Sequence, residues 1–252
     1  MKWVGFDLEI ANEFPDEGNP LDADLGITCA STVTSDGEVV TWPAPCHMVG
    51  SRAGAMYPAR LSTDMCAAIV GRLLEYDYKG YRIITWNGLG FDFPLLAIEC
   101  HNDGLTALIK GLATNHIDIG FQMLCEKGFM CGLNAAAKGL KLEGKTEGMH
   151  GDLAPAMWKE SREKQDLVLE YVAQDSRTTG EVYEGILDQG GSLVWITKKG
   201  YPTRRAWFPT LRGNQYGVRL LKVAEAMELS LPDTSWMDDP WPREKFSGWL
   251  TL

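Results

Sequence analysis

A chain of 252 residues, 45% of them hydrophobic, can bury the core of one large domain, or of one domain of about 190 residues with an appendage. Its net charge of −10 argues against binding nucleic acid by overall attraction, and no stretch approaches the ~20 uninterrupted apolar residues of a membrane span. With no basic-then-apolar leader at the start, and cysteines at 29, 46, 66, 100, 125 and 131 showing no C-x-x-C pair or zinc spacing, the chain reads as cytoplasmic with reduced thiols.

In chain order, "KWVGFDLEI" predicts a strand, followed by an acidic, Gly/Pro/Asn-rich loop to Leu25. "GITCASTVTS" and "GEVVTWPA" predict two further strands joined by a Ser35-Asp36-Gly37 turn, giving a three-strand meander. Residues 43–60 read as a long loop, with Arg52 and Arg60 as candidate substrate contacts. "LSTDMCAAIVGRLLEYDY" predicts an amphipathic helix capped by Ser62, Thr63 or Asp64, and "YRIITWN" a short strand buried on both faces. "FDFPLLAIECHN", "LTALIKGLATN", "IDIGFQMLCEKG" and "GLNAAAKGL" all lean helical. A long helix then runs from about Ser161 to Gln189, with Leu167, Val168, Tyr171, Val172, Val182, Ile186 and Leu187 as its apolar positions. The expected body is α/β, a mixed sheet flanked by helices.

Three places hold acids where apolar residues would be ordinary. Asp7 and Glu9 lie two apart on the first strand and so share a face, where burial is costly unless a cation, a hydrogen-bonding cradle or a raised pKa compensates. A lone D-x-E is more ordinarily the wet face of an edge strand. Asp92 follows the buried strand after two glycines and opens a helix, a location that suits ligand contact and equally suits a plain N-cap. Tyr171 and Asp175 are four apart and interrupt the stripe of the long helix that carries Leu167 and Val168, while Glu170 faces away.

Taken together, "FDLE", "WNGLGFDFPLL" and "YVAQD" resemble the three motifs of the DEDD superfamily of 3′-5′ exonucleases, which have a ribonuclease H-like fold. They are most similar to the proofreading domains of family B DNA polymerases and to small stand-alone relatives. The resemblance covers roughly residues 1–190, and its specific part is the central motif, with Asn87, Phe91, Asp92, Pro94 and Leu96 in register. It implies that Asp7, Glu9, Asp92 and Asp175 hold metal and that Tyr171 is the fifth catalytic residue. The tyrosine four residues before the last Asp, with Glu170 where the other branch has histidine, places the resemblance in the tyrosine branch. Asp118 resembles a supporting acid of the same region, and Asn87 and Phe91 are expected to contact the terminal nucleotide.

Four converging carboxylates are stable as ions only around cations, and all-oxygen ligation selects Mg²⁺ or Mn²⁺. Two such ions ~3.5–4 Å apart suit in-line phosphodiester hydrolysis, releasing nucleoside 5′-monophosphates. Tyr171, with an ordinary pKa near ~10, is better cast as orienting the attacking water than as a base. The implied activity is hydrolysis from the 3′ end of single-stranded nucleic acid, DNA favoured over RNA. The alternatives are a catalytically weak nucleic-acid- or partner-binding module on the same fold, and a structure-selective endonuclease.

Residues 192–224 contain no acid but seven bases, Lys198, Lys199, Arg204, Arg205, Arg212, Arg219 and Lys222, interleaved with aromatics. "LVWITKKGYPTRRAWFP" predicts a β-hairpin around Lys199-Gly200 that guides a single strand, with Lys198, Lys199, Arg204 and Arg205 as its contacts. A short helix follows in "GVRLLKVAEAMELSL". Trp236, Trp241, Phe246 and Trp249 make the tail too apolar to be free, so it is expected to dock on the domain or on a replication, repair or RNA-processing protein. The division expected is therefore an exonuclease domain over 1–190 and a basic, aromatic extension over 191–252 packed on it.

Overall fold

The computed structural model of the chain describes residues 1–43, 55–142, 151–203, 206–207, 210–213 and 217–251, and only the backbone within 206–218. Its elements in order are β1 (Trp3–Ile10), β2 (Ile27–Thr34), β3 (Val39–Trp42), α1 (Thr63–Tyr78), β4 (Arg82–Thr85), α2 (Asp92–Cys100), α3 (Asp103–Asn115), β5 (Ile117–Asp118), α4 (Ile119–Lys127), α5 (Leu133–Leu140), α6 (Ala154–Glu160) and α7 (Arg162–Asp188). The extension adds β6 (Ser192–Leu193), β7 (Ala206–Trp207), β8 (Thr210–Gly213), β9 (Gly217–Leu220), α8 (Val223–Met227) and α9 (Glu244–Ser247).

The main sheet has the order β3-β2-β1-β4-β5. β1 pairs antiparallel with β2, as a meander requires, and parallel with β4, which the chain reaches through the α1 crossover. Ser62 starts that crossover helix by accepting from the Met65 N–H, so of the three candidate caps the first is used. The expected α/β body, a mixed sheet flanked by helices with a C-terminal hairpin and helix extension, is the fold observed.

Strand alternation sorts β1 between two cores. Val4, Phe6, Leu8 and Ile10 enter the large cluster formed with Ile69 and Leu73 of α1, Phe93 and Leu96 of α2, and Ile109 of α3. The odd residues face α7. Trp3 lies over Gly180 and donates its indole N–H to Glu184, and Gly5 lies against the Ser176 carbonyl. Four helical residues rise about 6 Å and two strand residues about 6.7 Å, so the antiparallel helix keeps pace with the strand. The next odd positions, Asp7 and Glu9, therefore come opposite the preceding turn of α7, which carries Tyr171 and Asp175.

This register depends on Gly5. A Cβ built there would stand 1.9 Å from the backbone oxygen of Ser176, a contact that no side-chain adjustment relieves. Gly5→Ala is expected to destabilise the fold by ~3 kcal/mol, lowering the melting temperature by roughly 6–12 °C in thermal unfolding.

Three details depart from the sequence reading. Leu167 is 43% exposed and lies off the buried stripe, which runs through Val168, Leu169, Tyr171 and Val172, because the helix packs two neighbouring cores and its stripe is shifted round by one position. Residues 117–118 and 217–220 are strands where helix was expected, the first too short to show a period of two and the second held by pairing with β8. Arg60 makes a forked ion pair with the buried Glu99 at 2.7 and 2.9 Å and another with Asp24 at 2.7 Å, tying the acidic loop to α2. Cys29, Cys66, Cys100, Cys125 and Cys131 are free thiols, all but the last buried, while Cys46 and Arg52 lie outside the described residues. Among the described residues, no helix is long and apolar enough to cross a membrane.

Candidate active site

β4 pairs with β1 only as far as Gly5–Ile84, so beyond that point one edge of β1 is open. The Leu8 N–H on this edge is taken by Asp92, whose Oδ1 accepts it at 3.1 Å. Asp92 is therefore no plain cap: α2 begins with no side-chain cap bond, and the carboxylate of its first residue reaches across to the strand. Burial, reinforced by the nearby Asp118 carboxylate, holds the Asp92 carboxyl well above the ordinary carboxylate range.

The loop between β4 and α2 is built by residues that contact its backbone. Asn87 sits in the left-handed region at φ 70°. Its N–H and that of Leu89 both donate to Asp118 at 2.8 Å, and Asp118 also caps α4 by accepting from the Phe121 N–H at 2.9 Å. The buried Thr85 hydroxyl receives the Gly88 N–H and meets His116 Nε2 at 2.9 Å. Asp118 thus supports the loop from behind and does not line the cavity.

In front of the loop a cavity of about 260 Å³ is lined by Asp7, Leu8, Glu9, Ile10, Phe14, Trp86, Asn87, Phe91, Asp92, Gly151, Asp152, Tyr171 and Asp175. The four carboxylates expected to hold metal, Tyr171, Asn87 and Phe91 are brought together there. Tyr171 hydrogen-bonds to Asp175, and its hydroxyl and the Glu9 carboxylate both come close to Gly151, where an added Cβ would lie 3.8 and 3.9 Å from them. Burial first, then the charges of Asp175, Glu9 and Asp7, push the Tyr171 phenol far above its ordinary value, so it stays protonated and acts as a hydrogen-bond donor.

Lys198 and Lys199 are exposed at the tip of the expected hairpin, which closes through the Ile196–Pro202 bridge, and they do not line the cavity. Arg204 and Arg205 lie outside the described residues, as does His150. The hairpin's root is nearer the site: Ile196 donates to the Ala135 carbonyl, Trp195 packs edge-on to Phe129, and Trp86 of the cavity wall donates to the Cys131 carbonyl two residues on.

Three lining side chains beyond Gly151 escape the sequence reading. Phe14, 51% exposed, packs its ring 5.7 Å from Phe91, and its place in an acidic loop gives no periodic signal. Trp86 stands inside the central motif but reads as the end of a strand. Asp152 belongs to a short 3-10 turn at 151–153 that no pattern announces.

The donor set fits hard divalent cations in kind, being oxygen throughout: four carboxylates, a fifth at Asp152, and the buried Asn87 Oδ1, which has no hydrogen-bond partner among the described residues. Among the described residues, no three His, Cys, Asp or Glu side chains are already drawn into a metal cage, so ligation requires the carboxylates to turn inward from the cavity wall.

His116 supplies a test of the loop's support. Its Nδ1–H donates to the Ala113 carbonyl at 2.8 Å, which leaves Nε2 to accept from Thr85, and burial pushes the ring down from 6.5 to about 3. The unfolded chain takes up this proton below pH ~6.5 and the folded chain only near ~3, so the stability from the neutral ring is present above ~6.5 and lost as pH falls through that window. Against His116→Asn, the wild-type advantage is expected to shrink by up to ~1.4 kcal/mol per pH unit below 6.5, measured by denaturant unfolding at pH 7 and 5.

A profile of the RNase_H superfamily matches residues 61–187, half of the chain, a span that holds Asp92, Tyr171 and Asp175 and begins after Asp7 and Glu9. No curated protein matches. Among solved structures, the family B DNA polymerase from the hyperthermophilic archaeon Pyrobaculum calidifontis is similar at 19% identity and a TM-score of 0.50 over 74% of this chain. The chain spans 24% of that polymerase's length, and the likeness at this identity is one of fold.

Proposed function

This chain belongs to the RNase_H superfamily, and on that footing we propose that it is a metal-dependent 3′-5′ exonuclease of the tyrosine branch, acting on single-stranded nucleic acid and releasing nucleoside 5′-monophosphates. The observation that carries the reading is the convergence of Asp7, Glu9, Asp92, Asp175 and Tyr171, from three separated sequence motifs, on one cavity. DNA is placed ahead of RNA, as the motif resemblance to proofreading domains implies. The proposed division is a catalytic unit over 1–190 with the extension 191–252 packed on it.

Asp7, Glu9, Asp92 and Asp175 would hold two Mg²⁺ or Mn²⁺ ions, which supply an acidified water and charge stabilisation at the phosphorus and the departing 3′ oxygen. Asp7 and Glu9 share a strand face and so present their oxygens side by side, while Asp175 faces them from α7. Asp92, bonded to Leu8, fixes the remaining wall relative to the strand. Tyr171, whose O–H is held by Asp175, orients the water through its phenol oxygen without removing its proton. Asn87 hydrogen-bonds the terminal nucleotide, and the Phe91 ring, backed by Phe14, lies against its base. Lys198, Lys199, Arg204 and Arg205 guide the strand from the hairpin, and the surface outside the cavity is left for a replication, repair or RNA-processing partner.

The test compares a linear single strand, the same strand blocked by a 3′ phosphate, and a single-stranded circle. Hydrolysis of the linear strand alone supports the reading. Cleavage of the circle points to an endonuclease, and binding without hydrolysis to a binding module. Tyr171→Phe, which removes only the donor, is expected to slow hydrolysis by ~10–100-fold at unchanged melting temperature, read by single-turnover kinetics.

A further inference from the structure

The loop that presents Asn87 and Phe91 and leads into Asp92 is held from a second side by the far end of the chain. Asn87 is a non-glycine residue in the left-handed region, followed by Gly88 and Gly90, so its local backbone preferences do not select the observed path. The Phe93 N–H bonds the Gly88 carbonyl, and the Leu89 carbonyl accepts instead from the indole Nε1–H of Trp249 at 2.8 Å. One residue further on, the Phe246 ring occupies the space a side chain at Gly90 would need: an added Cβ would lie 2.4 Å from its Cδ1.

These contacts belong to an anchored segment. Phe246 is buried in the same core as Phe93 and Leu89. Arg243, just before α9, donates to the carbonyls of Met227 and Leu229 at 2.8 Å each, fixing the segment to the end of α8. Leu89 is thereby gripped at both polar groups, its N–H by Asp118 and its carbonyl by Trp249, while Phe246 closes the face at Gly90.

We propose that the C-terminal segment 243–251 is a positioning element for the catalytic loop, with Trp249 and Phe246 as positioning residues that set Asn87, Phe91 and Asp92 against the β1 acids. This rests on the exonuclease reading. A loop released on this side keeps its Asp118 bonds and the fold, but loses the placement on which a geometrically demanding phosphoryl displacement depends.

The experiment uses the full chain as wild type, Trp249→Ala and Trp249→Phe, the last keeping a ring while removing the donor. Hydrogen-deuterium exchange is followed in peptides covering 86–92 and β1–β2, alongside melting temperature and kcat on 5′-labelled single-stranded DNA with Mg²⁺. The expected result for Trp249→Ala is faster exchange confined to 86–92, and kcat lower by ~10–100-fold, as misplacement of about 1 Å produces. Trp249→Phe falls between it and wild type, and carries the test if the alanine variant does not fold. Exchange in 86–92 or kcat indistinguishable from wild type, with an active wild type, overturns the positioning role and leaves the exonuclease reading standing. A wild type inert on every strand overturns the exonuclease reading itself, and the positioning role with it, before any variant is compared.

Discussion

Asp7→Ala is expected to lower single-strand hydrolysis by at least ~10³-fold, the loss of about 4 kcal/mol of transition-state stabilisation, without unfolding the protein. Asp7 projects from the middle of β1 between Phe6 and Leu8, whose side chains anchor the strand in the opposite core, so its own carboxylate contributes no apolar packing. It shares its strand face with Glu9 and confronts Asp175 across the cavity. Its removal costs the core no packing, and in metal-free buffer the variant is expected to melt within a few degrees of the wild-type temperature. Mg²⁺ should raise the wild-type melting temperature, because an ion that binds only the folded state stabilises it, and that rise should be lost in Asp7→Ala. Kinetics and melting with and without Mg²⁺ check both halves. A variant that keeps its activity, or that unfolds, contradicts the assignment.

Asp118→Ala should have the opposite signature, a large loss of stability accompanied by loss of function. The carboxylate accepts from the N–H groups of Asn87, Leu89 and Phe121, and the alanine would leave three donors without their partner in the interior. At ~1–3 kcal/mol for each such group, and allowing for rescue by water, a destabilisation of ~3 kcal/mol or more is expected. The melting temperature should fall by roughly 6–12 °C. Asp118→Asn, which keeps an acceptor oxygen, should lose less. On the proposed function the two carboxylates are separable: Asp7 is expected to be needed for chemistry and dispensable for folding, whereas Asp118 holds the loop backbone at Asn87 and Leu89. Thermal unfolding of the three variants in one buffer decides the order.

The parts of the site legible from sequence are those whose signal is local. Alternation in "FDLE" places Asp7 and Glu9 on one face, the four-residue spacing of Tyr171 and Asp175 puts them on one side of a helix, and the density of the motif around Asp92 marks the loop. What brings them together is not local. Gly5 reads as an indifferent strand glycine, and only contact with the Ser176 carbonyl gives it the role of letting α7 approach β1. Phe14 and Asp152 line the cavity from irregular segments without periodicity. Trp249 is conspicuous as an apolar residue in the tail, yet nothing near it in sequence indicates that its partner is the Leu89 carbonyl, 160 residues away. Trp236 and Trp241, which look alike in sequence, remain 66% and 42% exposed. The basic hairpin shows the converse limit: its turn is read correctly from Lys199-Gly200, but composition alone does not place Lys198 and Lys199 at the cavity.

The most direct test of the central claim is digestion of a 5′-labelled single-stranded DNA by the wild-type chain in Mg²⁺, Mn²⁺ or chelator, resolved to single nucleotides. The account predicts a ladder shortening stepwise from the 3′ end with either metal and an intact strand in chelator. A strand left intact under all three conditions, or cut to the same pattern in chelator, contradicts it.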